Sequence, residues 1–416
     1  MAEAWEGLRI DMGRLKGDIE ALAGIGRIAE GGLFRAAFSP AYEEARAWLL
    51  GRIEAAGIAG GSDAIGNVIA RVGPAEGPAV LSGSHIDTVP GGGPLDGALG
   101  VLAALECARV IHGSGLPLAR AFEAGAFVDE EGHYLGCLGS QALTGRLDAE
   151  RLAAARNFEG RALAGAMRAA GFAPERALEV ARAPGAIAAY VELHIEQGPM
   201  LERLGIPIGI VTAIVGSRHY DLEFRGQADH AGTTPMAVRR DAFMGAAEYA
   251  VAARRAALAE GSANTVLTFG NIELFPGATN IVPERVRLKQ EMRDTDAGVL
   301  DRLATRTRAL AEESAARDRL TVAIEQTSAS TPTPMAPAMQ ARIAAACERL
   351  GLAHHAMPSG AGHDAALFAA VAETGMIFVP SEGGRSHRPD EWTDWPALEH
   401  GANTLLQTLL PLTCGP

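Results

Sequence analysis

At 416 residues the chain is too long for one ordinary hydrophobic core and suits two domains. Its composition is 48% apolar and 21% charged with a net charge of -13, a globular balance whose acidity argues against a nucleic-acid partner. No run of about 18 apolar residues exists to cross a membrane. The four cysteines stand apart without a CxxC pair, which reads as a reduced, cytoplasmic protein with no thiolate-bound metal. The segment MAEAWEGLRIDMGRLKGDIEALAGIG is acidic early and has no apolar h-region, so it does not read as a secretory signal.

Short apolar runs alternate with Ala/Leu/Arg-rich helical stretches, which predicts an α/β architecture. Residues 78–84 (PAVLSGS) predict a buried strand that ends at a Gly-rich loop, and 96–110 the helix after it. Residues 121–128 (AFEAGAFV) and 187–195 (IAAYVELHI) predict two further strands. A second block follows: a strand at DLEFRG, a helix from about 236 to 259, strands at 264–274 and 285–293, a helix near 297–315 and a strand at 319–325. That β-α-β-β-α-β order predicts a ferredoxin-like insert at 213–328, flanked by 1–212 and 329–416 as one interrupted domain. Residues 336–380 then predict helix, helix and strand.

The residues with chemistry gather where strands end, which is where α/β sheets build sites. His85 and Asp87 follow the first strand, and Asp96 lies beyond three glycines at the mouth of the next helix. His85 has the donor chemistry of a metal ligand, Asp87 that of its hydrogen-bond partner, and Asp96 that of a carboxylate bridging two cations. By itself an HxD triplet arises easily by chance. Asp129, Glu130 and Glu131 follow a strand, where three adjacent carboxylates call for a cation to offset their repulsion. In the period-2 pattern of residues 187–195, Glu192, His194 and Glu196 share one face. His387 follows the last strand and a Gly-Gly turn. Histidines and carboxylates at successive strand ends form an N/O donor set suited to Zn²⁺, Mn²⁺ or Co²⁺.

The sequence resembles the M20-type metallohydrolases, within them the branch of N-carbamoyl-L-amino acid hydrolases and allantoate amidohydrolases. The resemblance covers nearly the whole chain. It rests on GSHIDTVPGGGPLDGALGVLAALE (83–106), DEEG (129–132), ELHIEQGP (192–199), DHAGTTPM (229–236), GATNIVPERVRLKQEMRD (277–294), SGAGHDA (359–365) and Ser386-His387, in that order.

The resemblance implies a metallopeptidase-like catalytic domain interrupted by a lid and dimerisation domain, two divalent ions per subunit and a homodimer. His85 and His194 would hold one ion, Glu131 and His387 the other, and Asp96 would bridge them. Asp87 would orient His85. Glu130 would take a proton from water and return it to the leaving amine. His230 would reach across the dimer to the oxyanion of the partner's substrate. Asn280 and Arg293 would grip a substrate carboxylate, and Gln197 would contact the substrate. The substrate would be an N-carbamoyl-L-amino acid; allantoate, or a related ureidoglycine or ureidopropionate, is the alternative.

Read without the family, Arg293 would face solvent, Asn280 would sit in a turn, and His363-Asp364 would form a helix cap. Two departures stand out. Gly216-Ser217-Arg218-His219 replaces the Gly-Gln-Arg-Arg common in relatives, and Arg385 stands where an apolar residue usually precedes the Ser-His pair. A cation there would favour a second acidic or polar group on the substrate.

Overall fold

The computed structural model describes residues 5–415; the first four residues of the acidic N-terminal segment and the last residue lie outside it. The chain is a mixed α/β protein that divides into two compact units. One is Ala213–Pro334, and the other is formed by the described residues on either side.

Before the inserted unit come β1 (Ala59–Ser62), β2 (Val68–Val72), β3 (Ala79–His85), β4 (Ala121–Phe127), β5 (Ile187–Ile195) and β6 (Ile208–Ile214). Then follow β7 (Gly216–Arg225), β8 (Val266–Phe275), β9 (Arg285–Asp294) and β10 (Thr321–Ala329). Two-residue β11 (Thr333–Pro334) closes the inserted segment, and β12 (His354–Ser359) and β13 (Glu373–Val379) follow it.

The larger sheet runs β1-β2-β4-β3-β5-β13-β6-β11, with β12 paired to β6. Its centre is parallel: β3 lies parallel to β4 and β5, and β13 parallel to β5. Strands β3 and β4 are buried along their whole length, as a parallel sheet covered on both faces requires. The helices Ala98–Ser114 and Trp395–Cys414, themselves largely buried, pack on these central strands. The parallel centre aims the C-terminal ends of β3, β4, β5 and β13 the same way. His85, Asp129, His194 and Ser381 therefore emerge at one edge of the sheet.

Within Ala213–Pro334 the order is strand, helix (Ala242–Glu260), two strands, helix (Ala297–Arg317), strand. The sheet runs β10-β7-β9-β8, all pairs antiparallel. The inward residues of β7 and β9, among them Leu222, Phe224, Val286, Leu288 and Met292, pack against Tyr249, Leu300 and Leu303 of the two helices.

Two elements differ from the sequence expectation. The helix expected from about 236 begins at Ala242, because the Asp241 carboxylate accepts from the Phe243 and Met244 amides and fixes the start there. Residues 336–380 hold an extra strand, β12, between the helices Pro337–Leu350 and Ala365–Phe368.

Candidate metal site

Asp96 joins two groups of metal-ligating side chains. In one, ligand atoms of His85, Asp96 and His194 lie within 4.8 Å of one another; in the other, those of Asp96, Glu131 and His387 do. Oδ1 of Asp96 is 3.2 Å from His194 Nε2 and 3.6 Å from His85 Nε2, while Oδ2 is 3.1 Å from His387 Nε2. Glu131 Oε1 is 3.6 Å from the same His387 nitrogen. The structure thus gathers His85, Glu131, His194 and His387 around the Asp96 carboxylate.

Each ring is held from behind. Nδ1 of His85 faces the Asp87 carbonyl oxygen at 3.0 Å, and Nδ1 of His194 faces the Ile195 carbonyl oxygen at 2.9 Å. Carbonyls only accept, so each Nδ1 carries a proton and Nε2 is turned toward the site. Asp87 therefore meets His85 by its backbone rather than its carboxylate, whose Oδ1 stands 3.8 Å away. That carboxylate accepts from the Glu130 and Glu131 amides at 3.4 and 3.0 Å and shapes the turn that presents both side chains. Asp129 and His387 adopt left-handed backbone (φ 59° and 57°), strain of the kind that collects at functional sites. The Asp129 carboxylate supports its turn by accepting from the His133, Tyr134 and Leu135 amides.

The charge balance fits a cation. Asp87, Asp96, Glu192 and Asp364 are buried, and Glu130 and Glu131 lie beside them. Burial, then Asp96, pushes Glu131 up to about 7. Burial, against the opposing charge of His85, pushes Glu130 well above the usual carboxylate range. The hydrogen bond to Asp96 raises His387 to about 9. Without an ion Glu130, Glu131 and His387 hold protons more tightly than usual, and the N/O donor set is one that a borderline divalent ion takes.

Other residues support Asp96. Gln197 Nε2 and Ser386 Oγ each donate to its Oδ2 at 2.9 Å. Glu391 Oε1 accepts the Leu95 and Asp96 amides, both at 3.0 Å. Nothing local in the sequence marks Glu391, whose partners lie about 295 positions away. His363 and Asp364 are also more than a cap. The His363 ring meets His194 edge to face at 4.6 Å, and Asp364 makes no side-chain cap bond but accepts from Ser140 at 2.5 Å. Arg385 forms a 3.0 Å ion pair with Asp390. In the inserted unit, His230 and Asn280 are exposed neighbours, since the Ala231 amide donates to the Asn280 carbonyl at 3.0 Å. Arg293 on β9 is paired with Glu291 at 2.6 Å.

Two N/O groups sharing a carboxylate at strand ends, with the Glu130 carboxylate beside them, define a metal-dependent hydrolase. The chain belongs to peptidase family M20/M25/M40, whose model matches residues 81–410. It is 37% identical over 399 residues to an N-carbamoyl-L-amino acid amidohydrolase of Geobacillus stearothermophilus, covering 95% of this chain and 97% of that one. It is also 37% identical to an allantoate amidohydrolase of Escherichia coli, covering 94% and 95%. A crystal structure of an amidase of the hydantoinase/carbamoylase family from Burkholderia multivorans superposes with TM-score 0.91 at 33% identity, covering 98% and 99%. These relatives are amidohydrolases that act on C–N bonds.

Proposed function

We propose that the protein is an amidohydrolase that cleaves the ureido C–N bond of an N-carbamoyl-L-amino acid. The observation that carries this reading is Asp96, whose two oxygens face different histidines. We read it as the bridge between two divalent ions, Zn²⁺ or Mn²⁺/Co²⁺, one held with His85 and His194 and the other with Glu131 and His387. When bound, the ions would supply Lewis acidity toward the carbonyl and make water easier to deprotonate.

Glu130 takes a proton from the attacking water and returns it to the leaving nitrogen, which departs as ammonia. The carbamic acid left behind loses carbon dioxide and yields the amino acid. Gln197, already bonded to Asp96, contacts the substrate beside the ions, and Asn280 with Arg293 binds its carboxylate. Arg293 would exchange its Glu291 partner for that carboxylate. Arg385, where relatives carry an apolar residue, adds a cation that favours a polar or acidic side group once Asp390 yields it. The inserted unit is read as a ferredoxin-like lid and dimerisation domain, with His230 serving the partner's substrate. Its strand order and the exposure of His230 support that role. Among the described residues no helix is long and apolar enough to cross a membrane, and a cytoplasmic location accords with the scattered cysteines.

Allantoate amidohydrolase is the second reading, because identity to relatives of the two kinds is the same 37%. A ureidoglycine- or ureidopropionate-type substrate is a further variant of it. Ammonia release decides between them. Metal-stripped protein reloaded with Mn²⁺, Co²⁺ or Zn²⁺ is assayed on allantoate, N-carbamoyl-L-amino acids including N-carbamoyl-L-aspartate, one D-isomer and an N-acetyl amino acid. Metal-dependent release from the N-carbamoyl-L series supports the first reading. Release from allantoate alone selects the second, and silence across the panel rejects both.

A further inference from the structure

Arg35 is a buried cation that the reading above does not use. Its side chain is 0% exposed, yet among the described residues no carboxylate bonds it. Its Nε donates to the Ile86 carbonyl at 2.6 Å, and its Nη1 to the Leu22 and Ile25 carbonyls at 3.4 and 3.1 Å. The backbone repeats the contact: the Arg35 amide donates to Thr88 Oγ1 at 2.9 Å, and the Thr88 amide to the Arg35 carbonyl at 3.3 Å. Gly26, at φ 82°, leaves the space; a Cβ there would lie 2.7 Å from Arg35 Cγ. Burying a guanidinium against carbonyls alone costs stability that an apolar side chain of similar size would not.

What this cost secures is visible one residue away. Ile86 lies between His85 and Asp87. His85 leans on the Asp87 carbonyl, and the Asp87 carboxylate holds the amides of Glu130 and Glu131. A shift of the Ile86 carbonyl would therefore move a ligand, a second ligand and the base together. Burial draws the ionisation of Arg35 down to about 10 and the Asp87 charge opposes that, so the cation persists at neutral pH.

We propose that Arg35 is a positioning residue for the hydrolytic site, clamping residues 85–88 from behind so that His85, Glu130 and Glu131 converge on Asp96. This rests on the functional reading above, so the test includes a readout independent of turnover.

The experiment titrates Zn²⁺ into metal-stripped wild type, Arg35→Met, Arg35→Lys, Asp87→Asn and the Arg35→Met/Asp87→Asn double variant. Circular dichroism checks each fold, and kcat and KM are measured on the best substrate of the panel. Arg35→Met is expected to fold, to bind Zn²⁺ about tenfold more weakly or worse, and to lose at least as much in kcat. KM should stay within about threefold, and Arg35→Lys should recover part of the loss. The double variant should be little worse than its poorer parent, because both substitutions break one linkage. Wild-type Zn²⁺ affinity and kcat in Arg35→Met, or losses that add in the double variant, would overturn the proposal. If Arg35→Met does not fold, Arg35→Lys decides: full affinity and kcat refute the clamp, and weakening of both supports it. If wild type turns over no ureide while Arg35→Met still weakens Zn²⁺, the functional reading falls and the positioning role stands.

Discussion

Oε2 of Glu130 lies 3.6 Å from Nε2 of His85. The carboxylate read as the base thus borders a candidate ligand while belonging to neither three-residue group around Asp96. A side chain in that position can exchange protons with water at the site and still be dispensable for holding an ion. Glu130→Gln keeps the shape and removes the basicity. It should lower kcat by about a thousandfold, within the usual range for general acid–base groups. Metal content and melting temperature should match wild type. Full turnover in this variant would remove Glu130 from the mechanism, and loss of the metal would make it a ligand instead.

Protons and metal compete for the same groups, and the sign of the pH effect follows. Glu131 is raised to about 7 by burial and then Asp96, and Asp364 to about 7 by burial and then Glu192. His387 is raised to about 9, chiefly by its hydrogen bond to Asp96. In each case the folded, metal-stripped chain binds protons more tightly than the unfolded chain. The stability these three groups contribute is therefore greatest at the low end of this window and is lost as pH rises through about 7 and then about 9, while buried His363, held well below the usual imidazole range by burial and then His194, works the other way. A divalent ion held by Glu131 and His387 would replace the protons on those two groups. The gap in melting temperature between loaded and stripped protein should widen by roughly 5 °C between pH 6 and 9. Metal binding near neutral pH should release protons, measurable by calorimetry in buffers of different ionisation enthalpy. A gap that narrows with pH would contradict the proton-for-metal exchange.

Gly97 offers a steric test. Its φ is 66°, and a Cβ there would lie 2.4 Å from three atoms of the His85 ring. Its ψ of -47° lies outside the ordinary left-handed well, so the backbone alone would cost an alanine about 1–3 kcal/mol, and displacement of the ring adds to that. Gly97→Ala should fold, because the obstacle is a side chain and not backbone, and should bind metal at least about tenfold more weakly. Unchanged affinity would show that His85 Nε2 is not a ligand.

Much of this was legible because a strand is a local pattern. The apolar runs before His85 and His194 predict β3 and β5 within a residue or so, and strands that end at His and Asp point to a site. The start of the helix at Ala242 was also readable, since Asp241 is an N-cap signal that the longer apolar pattern from Met236 obscured. Strand β12 was not: HHAMPS has neither an apolar run nor alternation, and it is a strand because β6 pairs with it. The supports of the site were the least legible. Arg35 meets Ile86 across 51 positions, Ser140 meets Asp364 across 224, and Glu391 meets Asp96 across 295, and only the folded sheet joins them. His363-Asp364 looks like a helix start locally, and its burial against His194 and Ser140 is a tertiary fact.

The shared-site part of the proposal has its own test. His230 is exposed in the inserted unit, and Glu130 lies in the other. If His230 serves the partner's substrate, His230→Ala and Glu130→Gln homodimers should each be nearly inactive. A mixed dimer would contain one site with both an intact Glu130 and an intact partner His230. Co-refolded mixtures should recover about a quarter of wild-type activity, on the assumption of random pairing and independent sites. No recovery in mixtures shown to contain heterodimers would place His230 in its own subunit's site, and an active His230→Ala homodimer would place it outside the reaction.

Glu391 tests whether the supports of Asp96 matter as much as the ligands. Its Oε1 accepts two buried amides, Leu95 and Asp96, and its Oε2 lies 2.8 Å from Ser386 Oγ, the hydroxyl that also reaches Asp96 Oδ2 at 2.9 Å and has one proton to share between the two carboxylates. Glu391→Ala strands both amides and releases the serine. Each stranded amide costs about 1–3 kcal/mol, so a clear drop in melting temperature is expected. Because the Asp96 backbone is freed, metal affinity should fall by about ten- to a hundredfold, although Glu391 belongs to neither ligand group. Glu391→Gln retains one carbonyl acceptor and should restore most of the stability and part of the affinity. A stability loss in Glu391→Ala with wild-type metal affinity would show that Asp96 keeps its place without this anchor. Asp96 would then be fixed by Gln197 and Ser386, and Gln197→Ala would become the decisive variant.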